Sequence, residues 1–151
     1  MNENTNQKNI RLLEIIIMVG VIGILSTLAA IGVNNAQKKT RDNRRIEDMV
    51  MVRSAMQLIY NQSGSFNGDT CAAETRVADC SGPELVKYIN NIRELRDPDS
   101  NGVSCSQNFV KGCDYSFKSL TNESYSVYFY LEVGTQGLAK GPHLLTEQGI
   151  Q

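Results

Sequence analysis

The chain has no tryptophan, a single histidine and only three prolines, and its net charge is −1 over 151 residues. Each shortage excludes something. The near-zero charge gives no global basic signal for nucleic acid and no acidic tail. The one histidine, His143, sits in a Gly-Pro-rich tail and reads as a surface residue. No Ser/His/Asp set, no glycine-rich nucleotide loop and no carboxylate pair in an apolar setting accompanies it, so the sequence argues against an enzyme. Internal repeats and low-complexity segments are also missing.

What is present is unevenly spread. Residues 15 to 33 form a run of 19 without one charge, whereas the remainder is rich in Asn, Ser, Gly and Thr. At about 1.5 Å per residue such a run covers about 30 Å, the thickness of a bilayer's hydrocarbon. Gly20, Gly23 and Gly32, with Ser26, Ala29 and Ala30, are the small residues that let membrane helices approach closely. A cleaved secretory signal is the rival, with Thr27 to Ala29 as its weak cleavage site. The run is too long for that, and helical sequence continues past it. Glu14 stands one residue ahead of the run. A carboxylate there costs a few kcal/mol near a bilayer centre and less at its edge, so its plain reading is a residue at the headgroup boundary.

Four cysteines, Cys71, Cys80, Cys105 and Cys113, all follow the apolar run. An even count behind a membrane-targeting segment predicts an oxidising compartment and two disulfides. Three pairings are open, and joining sequence neighbours is the simplest. Zinc is the alternative, weakened by the lack of C-x-x-C spacing and of an interleaved histidine.

Residues 34 to 45 are polar on every face, which predicts a solvent-exposed helical bridge or a linker. From Ile46 an apolar stripe at spacings of three and four (Ile46, Met49, Val50, Val52, Met56, Ile59, Tyr60) predicts an amphipathic helix ending near residues 61–64. Its plain role is packing on the chain's own sheet rather than on a partner. Ser81-Gly82-Pro83-Glu84 predicts a capping box and a short helix over 84–91. Residues 113–119 alternate, and 124–133 do so more clearly, with Tyr125, Val127, Phe129, Leu131 and Val133 on the apolar face and Ser124, Ser126, Tyr128, Tyr130 and Glu132 opposite. Turns at Asn122 and 134–137 and a third strand near 143–146 complete the expected sheet. Tyr128 and Tyr130 offer stacking faces for single-stranded DNA, but without a basic patch the sequence weighs against nucleic acid.

Asp97-Pro98-Asp99-Ser100-Asn101-Gly102 matches the first half of a D-x-D-x-N-G calcium loop, with Asp97, Asp99 and Asn101 as candidate ligands. Position twelve holds Asn108 instead of Glu. The competing reading is a turn built by Asp-Pro and Asn-Gly. Calcium is the one cofactor the sequence suggests.

The stretch Lys8-Asn9-Ile10-Arg11-Leu12-Leu13-Glu14-Ile15-Ile16, with Gly20-Val21-Ile22-Gly23-Ile24-Leu25 after it, resembles the N-terminus of type IV pilins and type II secretion pseudopilins. The likeness is good from Lys8 to about Phe66. It implies an α+β fold in which a helix, half transmembrane and half amphipathic, packs on an antiparallel sheet of about three strands. It divides the chain into a leader (1–9), a transmembrane or filament-core helix (10–33), its amphipathic continuation (34–62) and a disulfide-bearing head (63–151). A prepilin peptidase would cut between Asn9 and Ile10 and methylate the new terminus. Glu14, then the fifth residue, would face the α-amino group of a neighbouring subunit. The implied partners are other copies, related subunits, the peptidase and the assembly machinery of the inner membrane. The implied location is a single pass through the cytoplasmic membrane, then an extracellular filament, with the head extracytoplasmic throughout. The sequence departs from the family at Asn9, where a Gly is usual, at Arg11, where Thr or Ser is usual, and in lacking a proline about twenty residues into the helix. Lys38, Lys39, Arg41, Arg44 and Arg45 follow the span, against Lys8 and Arg11 before it, and charge bias alone favours the opposite orientation.

Overall fold

The computed structural model describes residues 3–151, with side chains described for 13–27 and 32–151. The chain resolves into two compact units, one ending at Gln37 and the other spanning Lys38–Gln151. Helix α1 runs over Glu3–Ser63.

In the first unit α1 is helical throughout its described length, and one helix there is long and apolar enough to cross a membrane. The expected leader and the Asn9–Ile10 junction are helical from Glu3 onward, but the side chains of both junction residues lie outside the described set.

In the second unit the rest of α1 lies against a four-stranded antiparallel sheet in the order β1 (Ser116–Leu120), β2 (Tyr125–Thr135), β3 (Leu138–Thr146), β4 (Gly149–Ile150). The architecture is α+β, with one strand more than expected. The extra strand is the two-residue β4, paired through Leu145–Ile150 and Thr146–Gly149. Two-residue strands fall below what alternation can reveal. The helix buries Ile46, Met49, Val52, Ala55, Met56 and Ile59 against Tyr115, Phe117, Tyr125, Val127, Phe129, Leu131 and Leu145. Val50 and Tyr60, expected in the stripe, stand 55% and 40% exposed. Tyr60 instead stacks on Phe66 with ring centroids 4.5 Å apart. Gly64 ends α1 in a left-handed conformation (φ +70) and donates its N–H to the Tyr60 carbonyl at 2.8 Å, the usual way a helix's last carbonyls are satisfied.

The β2–β3 turn is made by Gln136 and Gly137, both at positive φ (52 and 85), as a two-residue hairpin consistent with strand twist requires. A register shift between Leu131 and Gly134 interrupts β2. It overturns the expected alternation at its end: Glu132 turns inward and is 4% exposed, while Val133 turns out at 41%. Gly134 makes the bulge feasible, since at φ +88 a Cβ would lie 2.5 Å from the Leu138 carbonyl oxygen.

Between α1 and β1 lies α2 (Pro83–Tyr88), flanked by single 3-10 turns at Val77–Asp79 and Ile92–Glu94. The capping box does not form. Gly82, with no side-chain hydrogen bond, is the N-cap. It is pressed so close to the chain that a Cβ would meet the Asp69 carbonyl at 2.1 Å. The helix stops at Tyr88, three residues short of expectation: Ile89 is already extended (φ −116, ψ 94), and Asn91 in the left-handed region (φ 60) starts the next turn. Disulfides join Cys71 to Cys80 and Cys105 to Cys113, the neighbour pairing. The cysteines are thus spent on cross-links rather than on zinc.

Candidate functional site

Two regions carry the chemistry, one in each unit. In the first, every large apolar side chain described from Leu13 to Val33 is 50–65% exposed. An exposed apolar surface such as that of residues 13–25 marks a lipid or protein contact rather than a solvated face. Its two hydroxyls are satisfied within the helix: Ser26 Oγ donates to the Ile22 carbonyl and Thr27 Oγ1 to the Ile24 carbonyl, both at 2.7 Å. Backbone and hydroxyl groups satisfied internally are what an apolar surround demands. Added methyls at Gly20, Gly23 and Gly32 would meet nothing within 4 Å, so these glycines leave shallow places open for another helix. Glu14 is exposed on this helix and has no ion-pair partner among the described residues.

In the second unit a buried ionic cluster fixes α1 to the sheet. Arg45 is fully buried. Its Nε and Nη2 donate to the two oxygens of Asp97 at 2.6 and 2.7 Å, and its Nη1 donates to Asp42 at 2.6 Å and Glu132 at 3.0 Å. Arg41 grips Glu132 with a second fork, at 2.6 and 2.8 Å. Asp42 also accepts the backbone N–H groups of Glu132, Val133 and Gly134 at 2.8, 2.8 and 2.9 Å. The bulge in β2 leaves those three donors without strand partners, and one carboxylate takes all of them. Lys111 completes the cluster on Asp99 at 2.9 Å and Glu132 at 3.2 Å.

The Arg41 hydrogen bonds, against the cost of burial and with help from Arg45 and Lys111, hold the Glu132 carboxyl down at about 2. Burial opposes the charge on Arg45, yet the hydrogen bonds and charge of Asp97, with those of Glu132 and Asp42, raise its pKa further. Asp48, nearby on α1, accepts the Tyr115 hydroxyl at 2.9 Å. Burial pushes its carboxyl up, and the Tyr115 hydrogen bond offsets part of that.

The solvated bridge expected over residues 34–45 is therefore corrected at its end, where Asp42 and Arg45 are core residues. The spacing contained a clue: 42, 45, 49, 52 and 56 follow one phase of threes and fours, so both charges fall on the stripe that carries Met49 and Met56. Glu132 gave no such signal, because Val133 after it prolongs a regular alternation.

The proposed calcium ligands lie in the loop that serves this cluster. Asp97 has both oxygens on Arg45, and its Oδ1 also accepts the Asp99 N–H at 2.8 Å. Asp99 meets Lys111. Asn101 Oδ1 accepts the Val103 N–H at 2.9 Å. A calcium ion would have to displace a buried guanidinium, and among the described residues no three His, Cys, Asp or Glu side chains converge to hold a metal. The loop is built as an ionic brace. His143, expected at the surface, is half-buried on β3 and stacks over Phe129 at 5.5 Å.

No family model, curated protein or solved structure matches this chain.

Proposed function

We propose that the chain is a structural subunit of a type IV pilus-like or pseudopilus-like filament, held in a membrane before assembly and polymerising through its N-terminal helix. The observation that carries this reading is the exposure of every large apolar side chain described on α1 between Leu13 and Val33, headed by Glu14, whose carboxylate has no ion-pair partner among the described residues. A membrane anchor needs the apolar surface alone. A filament core also needs a device that sets how far one subunit stands along the next. A carboxylate and a neighbour's α-amino group, each costly in an apolar core, serve that purpose by offsetting one another at one stagger only.

The expected outcome is that Glu14→Val leaves the protein in the membrane fraction but removes it from sheared surface filaments. Wild-type incorporation of that variant would end the assembly role. The competing reading is a membrane-tethered extracytoplasmic module that never polymerises. Mass spectrometry of the extracted chain separates the two, because a filament subunit begins at a methylated Ile10 and a simple tether retains residues 1–9.

A further inference from the structure

On the outer side of the ionic cluster a recess of about 160 Å³ is lined by Lys38, Lys111, Tyr130, Glu132 and Lys140. Three lysines from three separate segments converge on it: α1, the loop closed by Cys105–Cys113, and β3. Lys111 is engaged by Asp99 and Glu132, but the one acid in the wall has nothing left for the other two. Glu132 Oε1 is held by Arg41 and Arg45, and Oε2 by Arg41 and Lys111. Its side chain is 1% exposed. Among the described residues Lys38 and Lys140 have no carboxylate within ion-pair distance.

We propose that this recess seats the phosphate headgroup of an anionic phospholipid, an inference that rests on the membrane-anchored reading above. Chain connectivity argues for a lipid. Only residues 34–37 separate the end of the apolar run from Lys38, so even fully extended chain keeps the Lys38 backbone within about 18 Å of it. That distance is comparable to headgroup depth plus a screening length of about 8 Å. Lysines beside a membrane span attract anionic leaflets, and a tyrosine such as Tyr130 suits the same boundary. A nucleic-acid strand is the poorer occupant, because the adjacent Tyr128 ring is already covered by Phe109 at 4.3 Å and by Lys118 at 5.4 Å. Single-strand binding needs open stacking faces.

The test is lysine acylation footprinting by mass spectrometry. The full-length chain is reconstituted in nanodiscs of phosphatidylcholine alone or with phosphatidylglycerol. Phosphatidylglycerol should slow acylation of Lys38 and Lys140 by about fivefold or more, the scale set by one basic residue at an anionic surface. Lys87 and Lys118 should not change, and raised salt should cancel the protection. Lys140→Gln should weaken the protection of Lys38 by about the same factor. Equal labelling in both discs, with the chain still co-eluting with them, would overturn the lipid seat while leaving the anchor intact. Loss of co-elution would overturn both. Equal protection in phosphatidylcholine discs by inorganic phosphate would make the recess a free-anion site. Equal protection by a single-stranded oligonucleotide would make it a nucleic-acid site. Either result would overturn the lipid assignment.

Discussion

At the scale of single residues, the second unit depends on a few charges that no hydrophobic argument would place inside it. Arg45 faces three carboxylates, and removing it leaves Asp42, Asp97 and Glu132 buried with one cation fewer. Breaking a buried pair in this way costs about 3–5 kcal/mol. Arg45→Met should therefore lower the urea midpoint strongly, whereas Arg44→Met, at an exposed neighbour, should barely move it. The pH dependence has two opposed parts. Glu132 is held down at about 2 from an ordinary 4.5, so its contribution is present above about 4.5 and is lost as pH falls towards 2. Asp48 is raised, so its contribution is present in acid and is lost as pH rises through its folded pKa. Asp48→Asn keeps an acceptor for the Tyr115 hydroxyl and removes the titration. Its stability curve should lack the decline that the wild type shows as pH rises from the ordinary carboxylate range through the raised Asp48 value, and equilibrium unfolding at several pH values checks this.

At the scale of elements, the sequence disclosed what repeats and concealed what happens once. The α1 stripe was legible because Met49, Val52, Met56 and Ile59 recur every three or four residues, and β2 because Tyr125, Val127, Phe129 and Leu131 recur every two. The β2 bulge was not, because its causes lie elsewhere: a glycine at positive φ and an aspartate 90 residues earlier that collects its loose N–H groups. The ionic cluster was hidden for a similar reason. Asp42 and Arg45 are in phase with the core, but their charge reads as exposure until Asp97 and Glu132 are seen opposite them. The irregular chain between α1 and β1 is held by pairings equally invisible in sequence. Cys105 donates its N–H to the Asp114 carbonyl at 2.9 Å, and Val77 donates to the Tyr115 carbonyl at 2.9 Å. Each disulfide thus closes a loop sewn to the entrance of β1. Replacing Cys105 and Cys113 by alanine should cost roughly 2–3 kcal/mol from loop entropy. It should also free Lys111, which lies inside that loop, from Asp99 and Glu132. Comparing the double variant with Lys111→Met by chemical denaturation separates the two contributions.

At the scale of the whole molecule, the proposed membrane anchor raises the question of which side would carry the second unit. Counted naively, five basic residues between Lys38 and Arg45 against Lys8 and Arg11 favour keeping the C-terminal part in the cytoplasm. The structure gives two of those five another purpose. Arg41 and Arg45 are the guanidiniums that hold Glu132, Asp97 and Asp42, so the fold requires them whatever the topology. Their presence is weaker testimony about orientation than the same count in an unstructured loop. The disulfides argue the other way and do so chemically, since two cross-links with no free thiol suit a compartment that keeps cysteine oxidised. In the proposed orientation, a reporter fused after Gln151 that is active only outside the cytoplasm should be active. The four cysteines of the intact protein should resist alkylation until a reductant is added. Arg44→Gln, which removes a basic residue the cluster does not use, should leave both results unchanged. A silent reporter together with freely alkylated cysteines would place the second unit in the cytoplasm and remove the basis for an extracellular filament.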